Sequence, residues 1–184
     1  VKEFMNYYLM NEMQEYTPEF DQMLYYLPLA GSAFKKVYYD SALNRPVSTF
    51  VPATDLIVPY ETSNLETCPI ITHRIDMNVN DLRKQQIAGF YLDVPIMPSQ
   101  RTPDDVRAEM NKIQGAEPTQ GDYDTTLLEF HVELDLDGFE HQDAEGEATG
   151  IKLPYIVTVC EDTNVVLSIR RNYLEDDEDF KKIE

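Results

Sequence analysis

Cysteine and tryptophan are the scarcest residues of this 184-residue chain, which has two cysteines, Cys68 and Cys160, and no tryptophan. Two cysteines are too few for a disulfide framework, and we interpret them as reduced thiols of an intracellular protein. No apolar run approaches the roughly 18 residues of a membrane span. No basic segment followed by an apolar run opens the sequence, as it would in a secretory signal. The composition therefore favours neither a disulfide-stabilised nor a membrane-spanning protein.

The sequence motifs of common enzyme classes are also missing. No GxSxG, GxxxxGK[ST] or GxGxxG segment occurs, which removes the usual signatures of serine hydrolases and nucleotide-binding enzymes. The three histidines, His73, His131 and His141, form no HxxxH pair, and the chain has no CxxC pair that could hold zinc. We therefore predict no enzymatic activity, no catalytic residue, no cofactor and no bound metal ion.

Basic residues are few, because 15 lysines and arginines face 34 aspartates and glutamates, for a formal net charge of −19. The imbalance is greatest in residues 116–184, where 19 acidic and 5 basic side chains leave a net charge of −14. No lysine or arginine occurs between Lys112 and Lys152. Such a surface repels nucleic-acid phosphate. This chain therefore either does not touch nucleic acid or keeps it at a distance.

Alternating apolar residues are what the sequence does have. Residues 152–173 contain two alternating runs joined by the polar loop 161–164, a pattern that predicts an antiparallel hairpin. Asn164 suits the left-handed backbone conformation that such a loop often needs. A second hairpin is predicted from residues 34–39 and 46–51, and further strands from residues 56–58 and 70–77.

The clearest alternation lies in residues 128–136, where leucine, phenylalanine and valine alternate with acidic residues and one histidine. This pattern predicts a strand with one face in the core and one in water. We therefore expect Phe130 to be buried and Glu133 to be exposed.

Helix signals separate these strands. We predict helices over residues 4–14, from Thr17 to Pro28, from Asn78 to Gly89, and over residues 102–115. Helices and strands alternate irregularly, so we predict an α+β fold with a mostly antiparallel sheet of β-hairpins covered by short helices. We assign residues 1–30 to an N-terminal helical arm and residues 31–184 to an α+β domain.

Two stretches invite a binding hypothesis. Asp135, Asp137 and Gly138 follow the order of a calcium loop, but an EF-hand in this register would need aspartate at 133 and glutamate at 144, where the chain has Glu133 and Ala144. Arg170 and Arg171 could bind an anion, although in so acidic a chain we expect them to pair with carboxylates. Neither stretch is a strong candidate site.

Several stretches together resemble the portal proteins of short-tailed, podovirus-type bacteriophages. They occur in the family's order over nearly the whole chain: residues 16–23 (YTPEFDQM), 31–40 (GSAFKKVYYD), 51–60 (VPATDLIVPY), 65–70 (LETCPI), 80–91 (NDLRKQQIAGFY), 133–140 (ELDLDGFE) and 146–173, which includes GEATGIKLPYIVTV and VVLSIRRNY. The later segments of a portal, including the long channel-lining helices, are missing. We therefore interpret the chain as a fragment of a longer polypeptide, from the wing-like region before the stem.

The resemblance implies a structural function. The parent chain would form a dodecameric ring at one vertex of the capsid, in the virion and, during assembly, in the host cytoplasm. Double-stranded DNA would be packaged and ejected through the ring without sequence-specific binding. The implied partners are the terminase, the capsid, and head-completion and tail proteins. The resemblance implies no catalytic residue.

Two other classes remain open from the residues alone. One is an acidic viral interaction protein, such as a DNA mimic or an inhibitor, whose carboxylates would be spaced to imitate phosphates. The other is a carboxylate-based hydrolase, which would need two facing acids in a concave pocket with well-separated pKa values. Abundant carboxylates without a pocket do not favour that hydrolase.

Overall fold

Short helices and antiparallel strands make up the chain, and the predicted α+β class is confirmed. The computed structural model describes residues 1–40, 43–96, 124–143 and 145–173. The helix predicted over residues 102–115 lies outside these ranges. The chain divides into two units, residues 1–57 and 58–184. The helical arm assigned to residues 1–30 stays a prediction.

The first unit is a helical segment followed by a hairpin. Its elements are α1 (Lys2–Tyr7), a π-helical turn (Tyr8–Glu12), α2 (Tyr16–Ala30), β1 (Ala33–Asp40), β2 (Arg45–Pro52), a 3-10 turn (Ala53–Asp55) and β3 (Leu56–Ile57). Strands β1 and β2 pair in antiparallel register over their whole length. The predicted hairpin and short strand are therefore confirmed.

Helix α2 does not end at Pro28, and that prediction is wrong. Pro28 lies inside the helix, which continues to Ala30 and ends at Gly31 in the left-handed conformation. A proline removes one helical N–H, but the Gly31 N–H still donates to the Leu27 carbonyl at 3.0 Å. The helix therefore continues for two residues beyond Pro28 before the glycine ends it.

Helix α2 packs on the hairpin mainly against β2, and on β1 the Lys35 ammonium lies 3.9 Å from the centre of the Tyr16 ring. The rings of Tyr26 and Phe50 lie 5.4 Å apart, and the Glu19 carboxylate accepts a hydrogen bond from the Phe50 backbone N–H at 2.6 Å. Arg45 donates twice to Glu15, at 2.5 and 2.8 Å. The outer edge of β2 is therefore covered by side chains of the helical segment.

The second unit contains β4 (Ile70–Asn78), α3 (Val79–Ile87), β5 (Asp124–Leu134), β6 (Leu153–Cys160) and β7 (Val166–Arg171). Strands β4, β5, β6 and β7 lie next to one another in that order in an antiparallel sheet. Two local predictions are confirmed: Asn78 accepts a hydrogen bond from the Asn80 N–H at the start of α3, and Asn164 is left-handed with a φ of 53°. The hairpin predicted over residues 152–173 forms β6 and β7.

The core of this unit lies on one face of the sheet, below α3 and the segment that follows it. Its buried members are Leu82, Tyr91, Leu127, Cys160 and Leu167. Leu127 and Cys160 are cross-strand partners, which places them on the same face.

The faces predicted for β5 are wrong in part. Glu133 is exposed as expected, but Phe130 is only half-buried, whereas Leu127 is fully buried and Glu129 is 5% exposed. Leu127 is in phase with Glu129, and it is the Leu127 face that packs against Leu82 of α3. Glu129, which the alternation assigns to the water-facing side of the strand, therefore lies on the side that packs against the core.

Candidate functional site

A cluster of polar side chains lies in the sheet of the second unit, next to the apolar core, and three of its five members are buried. We call it the polar cluster, and its members are Glu129, His131, Thr158, Ser168 and Arg170. The strand register places Glu129 opposite Thr158 and Thr158 opposite Ser168, in a row across three adjacent strands. These three residues are 5%, 0% and 9% exposed. So many buried polar groups need a physical explanation, because each loses its hydration on folding.

The cost of burying the Glu129 carboxylate is offset by two nearby side chains that carry nitrogen atoms. His131 Nε2 lies 2.9 Å from one carboxylate oxygen, and Arg170 Nη2 lies 3.9 Å from the other. An ionised carboxylate can only accept, so His131 donates its Nε2–H to it. The Arg170 guanidinium also lies 4.4 Å from the centre of the Phe90 ring. A buried carboxylate is tolerated in the sheet because of these neighbours.

The hydroxyl groups of the polar cluster do not complete a catalytic arrangement. In the described part of the chain, neither the Thr158 nor the Ser168 side-chain oxygen has a hydrogen-bond partner. A serine or threonine nucleophile needs a base within hydrogen-bond reach. The His131–Glu129 pair is therefore not coupled to the hydroxyl of Thr158 or Ser168, and this geometry supports a structural role in the sheet.

The two arginines singled out in the sequence do not form a shared anion site. Arg170 lies near Glu129, as expected for pairing with a carboxylate. Arg171 instead donates to the Pro154 carbonyl at 3.1 Å and lies 5.5 Å from the centre of the Tyr155 ring. Neighbouring residues in a strand point to opposite faces of the sheet, so the two guanidinium groups diverge.

A cavity of about 360 Å³ lies between α3 and residues 92–96. Its walls are mostly apolar, with Leu82 and Val94 among them, and Arg83 and Asp93 form an ion pair there. The Gln86 amide donates to the carbonyls of Leu92 and Val94 at 3.0 and 2.8 Å. Asp93 is the one carboxylate among the described residues that line the cavity, so these residues do not supply the two facing acids that a carboxylate-based hydrolase needs.

The stretch that resembles a calcium loop begins at the end of β5, and a loop follows the strand. Asp143 accepts hydrogen bonds from the backbone N–H groups of Glu145 and Glu147 at 2.9 and 3.0 Å. Backbone N–H groups of Gly138 and Glu140 hold the pKa of the Glu140 carboxyl below its ordinary value. Within residues 1–40, 43–96, 124–143 and 145–173, no three or more histidine, cysteine, aspartate or glutamate residues are grouped so that they could hold a metal ion.

The other two histidines also lie apart from the polar cluster's hydroxyls. His141 Nδ1 lies 2.8 Å from the Thr149 hydroxyl in the same surface loop. His73 on β4 is the cross-strand partner of Glu129. Sequence reasoning missed the burial of Glu129, and the signal that could have found it is Leu127, two residues earlier on the same face.

Exposed acidic residues are concentrated in one stretch of the described chain. We call residues 133–147 the acidic segment. It contains no lysine or arginine, and six of its acidic side chains are exposed: Glu133, Asp135, Asp137, Asp143, Glu145 and Glu147. The arrangement presents negative charge to solvent and suits repulsion of anions better than binding of them.

Comparison with known proteins does not identify a family: no protein-family model matches this chain, and no curated protein is similar to it. In the described residues, no helix has the length and apolar character needed to cross a membrane.

Proposed function

We propose that this chain is a segment of a portal protein of a short-tailed bacteriophage, a structural subunit of the ring through which double-stranded DNA enters and leaves the capsid. The observation that carries the proposal is the ordered set of stretches, from residues 16–23 to residues 146–173, that resemble this family. The α+β fold with antiparallel hairpins is compatible with the wing-like region.

The acidic segment supports the proposal on physical grounds. A protein that binds duplex DNA gains affinity when lysines and arginines displace condensed counterions from phosphates. Residues 133–147 carry carboxylates and no lysine or arginine, and the carboxylates repel phosphate within a screening distance of about 8 Å at physiological salt. A conduit through which DNA slides is served by a surface that does not hold the DNA.

The decisive experiment determines the mass and shape of the full-length parent polypeptide. Light scattering and negative-stain electron microscopy should find a closed ring of twelve subunits with a central channel. A full-length chain that stays monomeric at all accessible concentrations would overturn the proposal. Expression of the same chain with a substitution in the exposed Glu133, such as Glu133→Gln, serves as a control that should still form rings.

A second experiment tests whether the negative charge of the chain prevents binding to duplex DNA. In a titration of fluorescent duplex DNA near physiological salt, the 184-residue chain should show no appreciable binding, while a basic DNA-binding protein of similar size should bind. Tight binding that weakens steeply with added salt would contradict the assignment, because it would require a basic patch that releases counterions.

One observation also favours a second candidate, an acidic interaction protein that mimics DNA. The six exposed carboxylates of the acidic segment lie in a stretch without a basic residue, as a phosphate mimic would require. The two functions differ in assembly. A monomeric full-length chain that displaces duplex DNA from a DNA-binding protein would favour the mimic, and a ring that does not compete would favour the portal.

A further inference from the structure

One tyrosine of the second unit projects into solvent from an ordered turn. Tyr60 is fully exposed, although a tyrosine usually buries the apolar part of its ring. A hydrogen bond from the Thr62 N–H to the Pro59 carbonyl, at 3.0 Å, closes the turn that carries it. A large side chain with an apolar ring and a polar tip, presented on a fixed turn, is typical of the residues that anchor protein interfaces.

The segment that carries Tyr60 returns to the beginning of β4. The Thr62 hydroxyl lies 3.4 Å from the Cys68 sulfur, and the Cys68 thiol donates to the Ile70 carbonyl at 3.0 Å. Ile70 is the first residue of β4. Two residues of chain span at most about 7 Å, so Tyr60 lies close to Thr62 and therefore near this end of the strand.

The cavity between α3 and residues 92–96 lies towards the other end of β4. Helix α3 begins at Val79, directly after the last strand residue Asn78, and Val79 lines the cavity. A strand of nine residues extends about 27 Å between its first and last Cα atoms. The exposed tyrosine and the cavity are therefore separate surfaces of the same unit.

The cavity has the size and the walls to receive an aromatic side chain. Its volume of about 360 Å³ falls within the range of about 300–1,000 Å³ that is usual for ligand pockets. Val79, Leu82 and Val94 supply apolar surface, and the ion pair of Arg83 and Asp93 lies beside it. A tyrosine ring placed there would contact apolar groups, and its hydroxyl could donate to the Asp93 carboxylate.

The charges around the two surfaces are compatible. Residues 58–72 contain two glutamates and no lysine or arginine. Helix α3 carries Arg83 and Lys84, which form exposed ion pairs with Asp93 and Asp81. Exposed pairs of this kind contribute only about 0–1 kcal/mol, and both bases have further N–H groups to donate. In so acidic a chain, this balanced surface admits the acidic segment around Tyr60 without net repulsion.

We propose that Tyr60 of one copy of this chain inserts into the α3 cavity of a neighbouring copy, and that this head-to-tail contact repeats around the ring. The inference rests on the proposed function, because a ring needs two different surfaces on every subunit, whereas a twofold dimer uses one surface twice. Tyr60 and the cavity meet this requirement because they lie towards opposite ends of β4. The occupant is a second copy because the same unit presents both surfaces, matched in size and charge.

The first test maps the neighbour of Tyr60 by photo-cross-linking. The chain carries the photoreactive residue p-benzoylphenylalanine in place of Tyr60 and is irradiated at high concentration. The products should form a ladder of dimers, trimers and larger species, because a head-to-tail contact does not close after two copies. Mass spectrometry should locate the attachment in residues 79–96. The same replacement at Phe139, an exposed aromatic residue of the same unit, is the control and should not label that range.

The second test measures the strength of association in the full-length parent chain. Tyr60→Ala should weaken ring formation at least about tenfold, as expected for an anchor residue, and Tyr60→Phe should weaken it less because the ring of the side chain is kept. Since Tyr60 is fully exposed in a single copy, neither substitution should change the urea midpoint of the 184-residue chain. Val79→Trp, which fills the cavity, should weaken association as Tyr60→Ala does.

The outcomes separate this inference from the proposed function. Rings whose position 60 attaches outside residues 79–96, or that form equally well with Tyr60→Ala, would overturn the inference and leave the portal proposal standing. Attachment to residues 79–96 in a parent chain that forms no closed ring would support the head-to-tail contact and overturn the portal proposal. A single closed dimer, or a parent chain that stays monomeric, would overturn both.

Discussion

The two units of the chain place their large side chains differently. In residues 58–184, Leu127, Cys160 and Leu167 have no solvent exposure, whereas the most buried side chains described in residues 1–57, Ser48 and Val51, are each 3% exposed. The first unit nevertheless holds 11 of the chain's 20 aromatic residues. Many of these are exposed, as are several of its aliphatic residues.

The difference indicates how each unit is stabilised. The second unit has a contiguous core between α3 and the sheet. The first unit depends on contacts at the edge of β2, such as the hydrogen bond from Phe50 to Glu19, and on a surface of exposed apolar side chains that is typical of an interaction site. The second unit should therefore fold by itself, and the first should gain stability from association.

The largest expected effect is that of Leu127→Ala, which should destabilise the second unit by about 2–5 kcal/mol because it leaves a cavity in a fully buried position. Hydrogen exchange should accelerate in peptides from β6 and stay unchanged in peptides from β2. Leu128→Ala, on the half-buried opposite face, is the matched control and should cost less. Equal acceleration of hydrogen exchange in both units would show that they share one core and would contradict the difference drawn between them.

A smaller effect is expected at the buried carboxylate of β5. Glu129→Ala should cost about 1–3 kcal/mol, because it leaves Arg170 and His131 without their partner and both are partly solvated. Glu133→Ala, in the same strand but exposed, should change the free energy of unfolding by less than about 0.5 kcal/mol. Urea unfolding of both variants measures the difference. Indistinguishable midpoints would mean that Glu129 is not buried with its partners.

In the first unit, Glu19→Ala should cost about 1 kcal/mol, because it removes the acceptor for the Phe50 N–H at a partly solvated site. Glu19→Gln keeps an acceptor oxygen and should cost less. The readout is hydrogen exchange in β2, with β6 as the internal reference. Hydrogen exchange that is accelerated more in β6 than in β2 would contradict the prediction that Glu19 stabilises the first unit.

The smallest expected effect depends on pH. The hydrogen bond and charge of Arg45 hold the pKa of Glu15 below its ordinary value, and those of Glu15 raise the pKa of Arg45. A lowered carboxyl pKa stabilises the fold above the unfolded pKa, and this contribution disappears as the pH falls through the lowered value. Near-UV circular dichroism of the tyrosines during thermal unfolding should show this loss at acid pH.

The control for the pH effect is Glu15→Gln, which cannot ionise. Its midpoint should be lower than that of the native chain near neutral pH and should converge with it in acid. A constant difference between the two chains across the acid range would contradict the ion pair as the cause.

Local features could be predicted from the sequence because their causes are local. The cap at Asn78 and the left-handed turn at Asn164 follow from the chemistry of one side chain and its neighbours. The hairpin pairing of β1 with β2 follows from alternation and a short loop.

Other features depend on distant residues and could not be predicted. The burial of Glu129 depends on Arg170, which lies on another strand, and on which face α3 covers. Alternation alone does not decide between the two faces when Leu127 and Leu128 are both apolar. The persistence of α2 beyond Pro28 has a local cause instead, the hydrogen bond from the Gly31 N–H to the Leu27 carbonyl, which the rule that proline ends a helix does not take into account.

The two free cysteines of the chain allow the opening of the second unit to be measured separately from the first. Cys160 lies in the core of the second unit with no exposure, whereas Cys68 is half-buried and donates to the Ile70 carbonyl at 3.0 Å. Residues 1–57 contain no cysteine. In a Cys68→Ser chain, the rate at which a thiol reagent modifies Cys160 therefore reports how often the second unit opens, undisturbed by motions of the first.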